Sequence, residues 1–163
     1  MKKLLFLLFI IYYQTGFSQS LELLSGNFPL TNNINTFSKK DLKDLPVFEN
    51  TLLAIIRFNK IPNSNEKQLL LGKGIHLLKY LPKNAFFATL DPSIKLNEIK
   101  NFSSIAGIHK IKPQYKKHPK LNPDKYPDWI LEGKQLLVVV TIFETLSFEK
   151  ITQLLIKKSL YYN

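Results

Sequence analysis

Three stretches decide the fold: Leu52-Leu-Ala-Ile-Ile-Arg-Phe-Asn-Lys-Ile-Pro62, Gly74-Ile-His-Leu-Leu-Lys-Tyr-Leu-Pro-Lys-Asn-Ala-Phe-Phe-Ala-Thr-Leu90 and Gly107-Ile-His-Lys-Ile-Lys-Pro113. The run 52–58 is nearly all apolar and rich in branched side chains, which suits a central strand, and Pro62 stops it. Asn63, followed by Glu66 three residues on, has the form of a helix N-terminal cap. The helix so opened carries Leu69, Leu70 and Leu71 and is expected to end at Gly72 or Gly74. Residues 75–81 and 85–90 read as a hairpin around Pro82-Lys83-Asn84. Asp91-Pro92-Ser93 opens a second helix with Leu96, Ile99 and Phe102 on one face, closed by Gly107, and a last strand follows it. Strand, helix, hairpin, helix, strand is the split βαβ plan. The expected fold class is therefore α+β, a ferredoxin-like βαββαβ antiparallel sheet with two helices on one face.

Working outward, the chain divides into five parts. Lys2 and Lys3 precede an apolar run over 4–13, and Gly16-Phe17-Ser18 supplies small residues for cleavage, so 1–18 reads as a secretory signal peptide. Ten apolar residues are too few to cross the ~30 Å hydrocarbon core, which argues against a stable membrane span. Residues 19–50 show no lasting period and read as a spacer, with a helical turn over 39–45 before Pro46. The ferredoxin-like unit occupies 51–115. A polar stretch with Pro119, Pro123 and Pro127 forms a linker over 116–134. Residues 135–163 restart the pattern, with a strand over 136–143 and a helix capped by Ser147 that carries Ile151, Leu154, Leu155 and Lys158. This partial second βα unit lacks its other half, and the chain reads as cut short. The alternative is that its strand joins the first sheet.

The 163 residues include 23 Lys and Arg against 12 acids, a net charge of +11, and no cysteine. Loss of Lys2 and Lys3 with the signal leaves a net +9. Such a balance attracts acidic surfaces generally. Export without disulfides leaves stability to packing and points to a bacterial, secreted or periplasmic protein; it also excludes cysteine chemistry. His76 and His109 fall in strands that this topology brings near each other, but no third ligand stands at a revealing spacing, so no metal is expected. His118 lies in the densest basic run, 110–120. Lys and Tyr interleaved there suit a phosphate backbone, yet no RNA-binding signature accompanies them, and a solvated linker is the reading preferred over nucleic acid.

Phe58, Ile61 and Pro62, then Gly74, Ile75, Leu77, Leu78, Tyr80, Pro82 and Asn84, resemble the N-terminal prodomain of secreted subtilisin-like serine proteases, the fervidolysin-like type in particular. Leu23-Leu-Ser-Gly-Asn-Phe-Pro29 is similar to the lead-in of some such prodomains. The resemblance implies an intramolecular chaperone and inhibitor that partners a subtilisin-like protease domain, in cis or in trans. One sheet face docks on the enzyme and the tail after the last strand enters its cleft. It implies contact residues among Phe86, Phe87, Tyr115, Lys116, Lys117 and His118, with 113–121 as the cleft segment. Phe86 and Phe87 are strand neighbours and point to opposite faces, so at most one is expected in the domain's own core; the other is either a partner contact or, as an equal alternative, covered by the spacer of residues 19–50. The protease's Asp-Ser/Thr-Gly, His-Gly-Thr and Gly-Thr-Ser signatures are all missing, so no catalytic residue and no cofactor is expected. Two other readings stand beside this one: a free-standing secreted module binding a cell surface or a protein, and a remnant without function.

Overall fold

The computed structural model describes residues 20–23, 25–116, 131–132, 135–136 and 147–159. In chain order the elements are β1 (Ser20–Leu23), β2 (Gly26–Pro29), α1 (Lys39–Lys43), β3 (Val47–Phe48), β4 (Thr51–Phe58), α2 (Ser64–Gly72), β5 (Ile75–Leu81), β6 (Ala85–Leu90), α3 (Leu96–Lys100), β7 (Ile105–Lys110), β8 (Leu131–Glu132), β9 (Gln135–Leu136) and α4 (Phe148–Ser159). A single 3₁₀ turn, Pro113–Lys116, follows β7. Chain contacts form two units, 1–116 and 117–163.

The first unit is built on an antiparallel sheet. Its path runs β7-β4-β6-β5, with the short β3 continuing the β7 side of β4. Counting only the long strands in chain order gives 4-1-3-2, which is the ferredoxin-like arrangement, and the fold class is α+β as the alternating periods suggest. Side chains alternate along β4. Ala54, Ile56 and Phe58 join one core, and Leu53 and Ile55 join another.

The first core holds the helices. Leu70 of α2 and Ile99 of α3 are fully buried against Ile56, Phe58, Phe86, Ala88 and Ile108. Leu42 of α1, with Phe37 and Leu45 beside it, packs on the same cluster, so a third helix joins the expected two on this face. Local chemistry explains the helix starts. Asn63 Oδ1 accepts the Glu66 N–H at 2.9 Å, as the sequence pattern suggests. Ser38 and Asp41 close a reciprocal capping box on α1. Asp91 does not cap a helix directly. Its carboxylate accepts from the backbone and hydroxyl of Ser93, and α3 begins only at Leu96. Gly74 sits at φ +77° after α2, and Lys83 and Asn84 take left-handed conformations in the β5–β6 turn.

Two expectations are corrected here. Residues 20–50, read as a spacer with one helical turn over 39–45, form the β1–β2 hairpin and β3 as well as α1 at the expected turn. Short elements whose partners lie far along the chain leave no period to read. Gly107 does not end a helix. Helix α3 stops at Lys100, and Gly107 lies inside β7, opposite Arg57 of β4.

The second unit holds a small antiparallel hairpin, β8–β9, and the helix α4. Ser147 Oγ accepts the Lys150 N–H at 3.3 Å at the start of α4, as expected, and Ile151 and Leu154 are half-buried. The remainder of the expected strand over 136–143 lies outside the described residues, as do the signal segment 1–18 and most of the linker. Among the described residues no helix is long and apolar enough to cross a membrane.

Candidate functional site

The sheet face turned away from the helices is where the resemblance puts partner docking, so its chemistry comes first. Leu53, Ile55, Ala85, Phe87, Leu81 and Ile111 would leave it largely apolar. Residues 20–30 cover it instead. Leu21 and Leu30 are buried in this second core, and Leu23 and Tyr115 pack at its margin. Each such buried aliphatic side chain contributes roughly 1.5–3 kcal/mol. Phe28 and Tyr115 stack with ring centroids 4.0 Å apart, and Ser25 Oγ donates to the Tyr115 carbonyl at 2.9 Å.

Polar groups fix this strap at its far end. Arg57, only 7% exposed, points from β4 toward the strap and donates from one guanidinium nitrogen to the Leu30 carbonyl at 3.2 Å and to Asn32 Oδ1 at 2.5 Å. Burial lowers its pKa, but a guanidinium stays charged, so the backbone and amide oxygens are what solvate that cation. The chain then turns around the β7 edge. Asn33 Nδ2 donates to the Ile108 carbonyl and Asn33 Oδ1 accepts the Ile108 N–H, both at 2.8 Å. The Ile34 N–H donates to the Ala106 carbonyl at 3.2 Å. One side-chain amide and one backbone amide thus occupy the middle of the outer edge of β7, which would otherwise be open to pairing.

Gly107 permits this passage. A Cβ there would stand 2.5 Å from the Thr31 carbonyl oxygen and 2.7 Å from Asn33 Oδ1. His109 completes the junction. Burial holds its imidazole below the usual range; the Thr31 backbone opposes that shift and the nearby Arg57 cation adds to it. Its Nε2 has no hydrogen-bond partner among the described residues. Arg57, Asn33, Gly107 and His109 were not singled out as a cluster by the sequence. The available signal was one Arg in an otherwise apolar central strand.

The sequence-derived contact residues fall as follows. Phe86 lies in the helix-side core at 6% exposure, edge-on to Phe58 and Tyr80, with Lys67 Nζ 5.5 Å from its ring centre. Phe87 is half-buried in the strap-side core. Of the two alternatives for the second ring, cover by residues 19–50 is the one found: the strap creates a second core over Phe87, so both rings pack within the domain rather than one at most. Tyr115 is half-buried against Phe28 and burial raises its pKa, while Lys116 is exposed. Lys117 and His118 lie outside the described residues, as does most of the 113–121 segment. His76 and His109 are not neighbours, because β5 and β7 are opposite ends of the path β7-β4-β6-β5, separated by roughly 14 Å at ordinary strand spacing. Among the described residues no group of three metal-ligating side chains comes together.

A family model described as "Domain of unknown function (DUF8729)" matches residues 22–112. The chain belongs to this family. The DUF8729 match opens in β1 and closes just after β7, so it takes in the strap together with the sheet it covers. No curated protein and no solved structure matches the chain.

Proposed function

We propose that the chain is a secreted, non-catalytic module of the subtilisin-prodomain kind, an assistant in folding and an inhibitor of a subtilisin-like serine protease domain. The observation that carries this reading is the 4-1-3-2 antiparallel sheet of residues 51–110 with its helices gathered on one face, the plan that the sequence resemblance implies. Fold likeness is an associational warrant, since one fold hosts many functions, and the residues quoted for the resemblance add the second support.

On this reading the strap changes the contact surface. The sheet's own side chains are covered, so the enzyme meets the outer side of the strap and the turn after β7, where Phe28, Tyr115 and Lys116 lie within one region. The 113–121 segment is the part that pairs along the protease cleft as an added strand.

The test is inhibition. The full secreted chain is titrated into a panel of subtilisin-type proteases, and hydrolysis of a chromogenic peptide is followed. Saturable inhibition at micromolar or lower concentration, weakened by Phe28→Ala and Tyr115→Ala in chains whose circular dichroism is unchanged, is the expected result. Full activity of every protease at saturating chain rejects the proposal.

A further inference from the structure

Away from the strap, on the helix side, a cleft of about 510 Å³ opens between α1 and the segment leading into α3. Its floor is aliphatic: Leu42 from α1, Leu52 from the start of β4, and Ile94 and Leu96 before and within α3, with Pro92 at one end. Its rim is cationic. Lys39 and Lys43 stand four residues apart on α1 and Lys95 comes from the opposite wall, while no acidic residue lines the cleft. Like charges at that helical spacing repel and destabilise a helix slightly, so this pair is unfavourable for α1 by itself. The acidic residue within α1, Asp41, is turned toward Ser38 and does not line the cleft.

We propose that this cleft binds a single-chain amphiphile with an anionic head, namely a free long-chain carboxylate. The acyl chain lies on Leu42, Leu52, Ile94 and Leu96, and the carboxylate meets Lys39, Lys43 and Lys95. The volume falls in the ~300–1,000 Å³ range of small-ligand pockets. A peptide fits less well, because its amide groups would lose water against an aliphatic floor with only Asn97 beside the lysines to replace it. Lysine acts here as a point charge and demands no bidentate geometry from the head group.

The experiment is calorimetric titration of the full chain with dodecanoate below its micelle concentration. Dodecyltrimethylammonium is the control for the head group and acetate the control for the tail. Saturable one-to-one binding of dodecanoate alone, weakened by salt as exposed charge attraction is screened, is the expected result. The triple variant Lys39→Gln/Lys43→Gln/Lys95→Gln changes only exposed side chains and is expected to weaken binding about tenfold. Leu96→Trp, which fills the cleft from its half-buried floor, is expected to abolish binding; its fold is checked by circular dichroism. Equal binding of the cationic amphiphile, affinity unchanged in the triple variant, or no saturable binding overturns the proposal. The readout involves no protease, so this result and the inhibition test stand or fall separately.

Discussion

Replacing Gly107 with alanine discriminates sharply between two views of β7. If the strap were incidental, Gly107→Ala would stabilise the domain, since glycine inside a strand costs roughly 0.5–1 kcal/mol relative to alanine. The strap reverses that sign. The new methyl would meet the Thr31 carbonyl oxygen at 2.5 Å, against about 3.4 Å for ordinary contact, so roughly 0.9 Å of movement is needed. That carbonyl belongs to backbone held on one side by Arg57 at Leu30 and on the other by the Ile34–Ala106 hydrogen bond, so it cannot yield alone. Overpacking of this kind costs about 1–3 kcal/mol, and straining the paired Asn33–Ile108 bonds adds about 1 kcal/mol. The expected net loss is about 1–3.5 kcal/mol, a sizeable part of the ~5–15 kcal/mol that holds a typical domain folded. Urea unfolding followed by far-ultraviolet circular dichroism measures it. A double-mutant cycle with Asn33→Gly, which removes the second clash, gives a non-additive recovery of about 1 kcal/mol. Unchanged or increased stability of Gly107→Ala refutes the close passage of the strap over β7.

Three further outcomes are expected. Asn33→Ala leaves the Ile108 N–H and carbonyl without their amide partner, costs about 2 kcal/mol, and speeds amide exchange at Ile108 more than at Ile56. Because burial keeps the His109 pKa below its unfolded value of 6.5, the unfolded chain binds the extra proton. Stability is thus flat above that pH and falls on acidification through it, by up to about 1.4 kcal/mol per pH unit until the folded pKa is reached; His109→Gln removes this component from the pH–stability profile. Leu21→Ala opens a cavity in the strap-side core, costs about 2–4 kcal/mol, and raises binding of a hydrophobic dye in the native baseline.

Much of the sheet was legible in the sequence because its signals are local. The apolar run of β4, the Asn63 cap, the Pro82-Lys83-Asn84 turn and the β5–β6 hairpin are each encoded within a few residues of one another. The strap was legible only as an alternative, residues 19–50 lying over the sheet, because apart from the β1–β2 pairing its determinants are not local. Leu21 and Leu30 look like scattered apolars until Ile55 and Ile111 are brought beneath them, and Asn33 looks like a loop residue until Ile108 arrives beside it. Gly107 was misread for a related reason. A glycine after a helical pattern ordinarily ends the helix, whereas here it leaves room for backbone that comes from the other end of the domain. His76 and His109 looked adjacent because both lie in strands, and only the strand order separates them. The candidate contact residues suffered likewise, since Phe87 and Tyr115 gain their shelter from the same distant segment.

The strap also imposes an order of events on a chain made from its N-terminus. Its anchoring bonds span 75 residues at Asn33–Ile108 and 90 at Ser25–Tyr115, so the first part of the domain to be synthesised is the last that can be seated. Until β7 and the turn after it emerge, Ile111 and Tyr115 are missing from beneath Leu21 and Leu30, and the strap over Leu53, Ile55 and Phe87 lacks its long-range anchors. Contacts of such long range close slowly, and the nascent chain passes through an interval with its apolar sheet face incompletely covered. That interval, rather than the finished fold, is when a chaperone has most to hold.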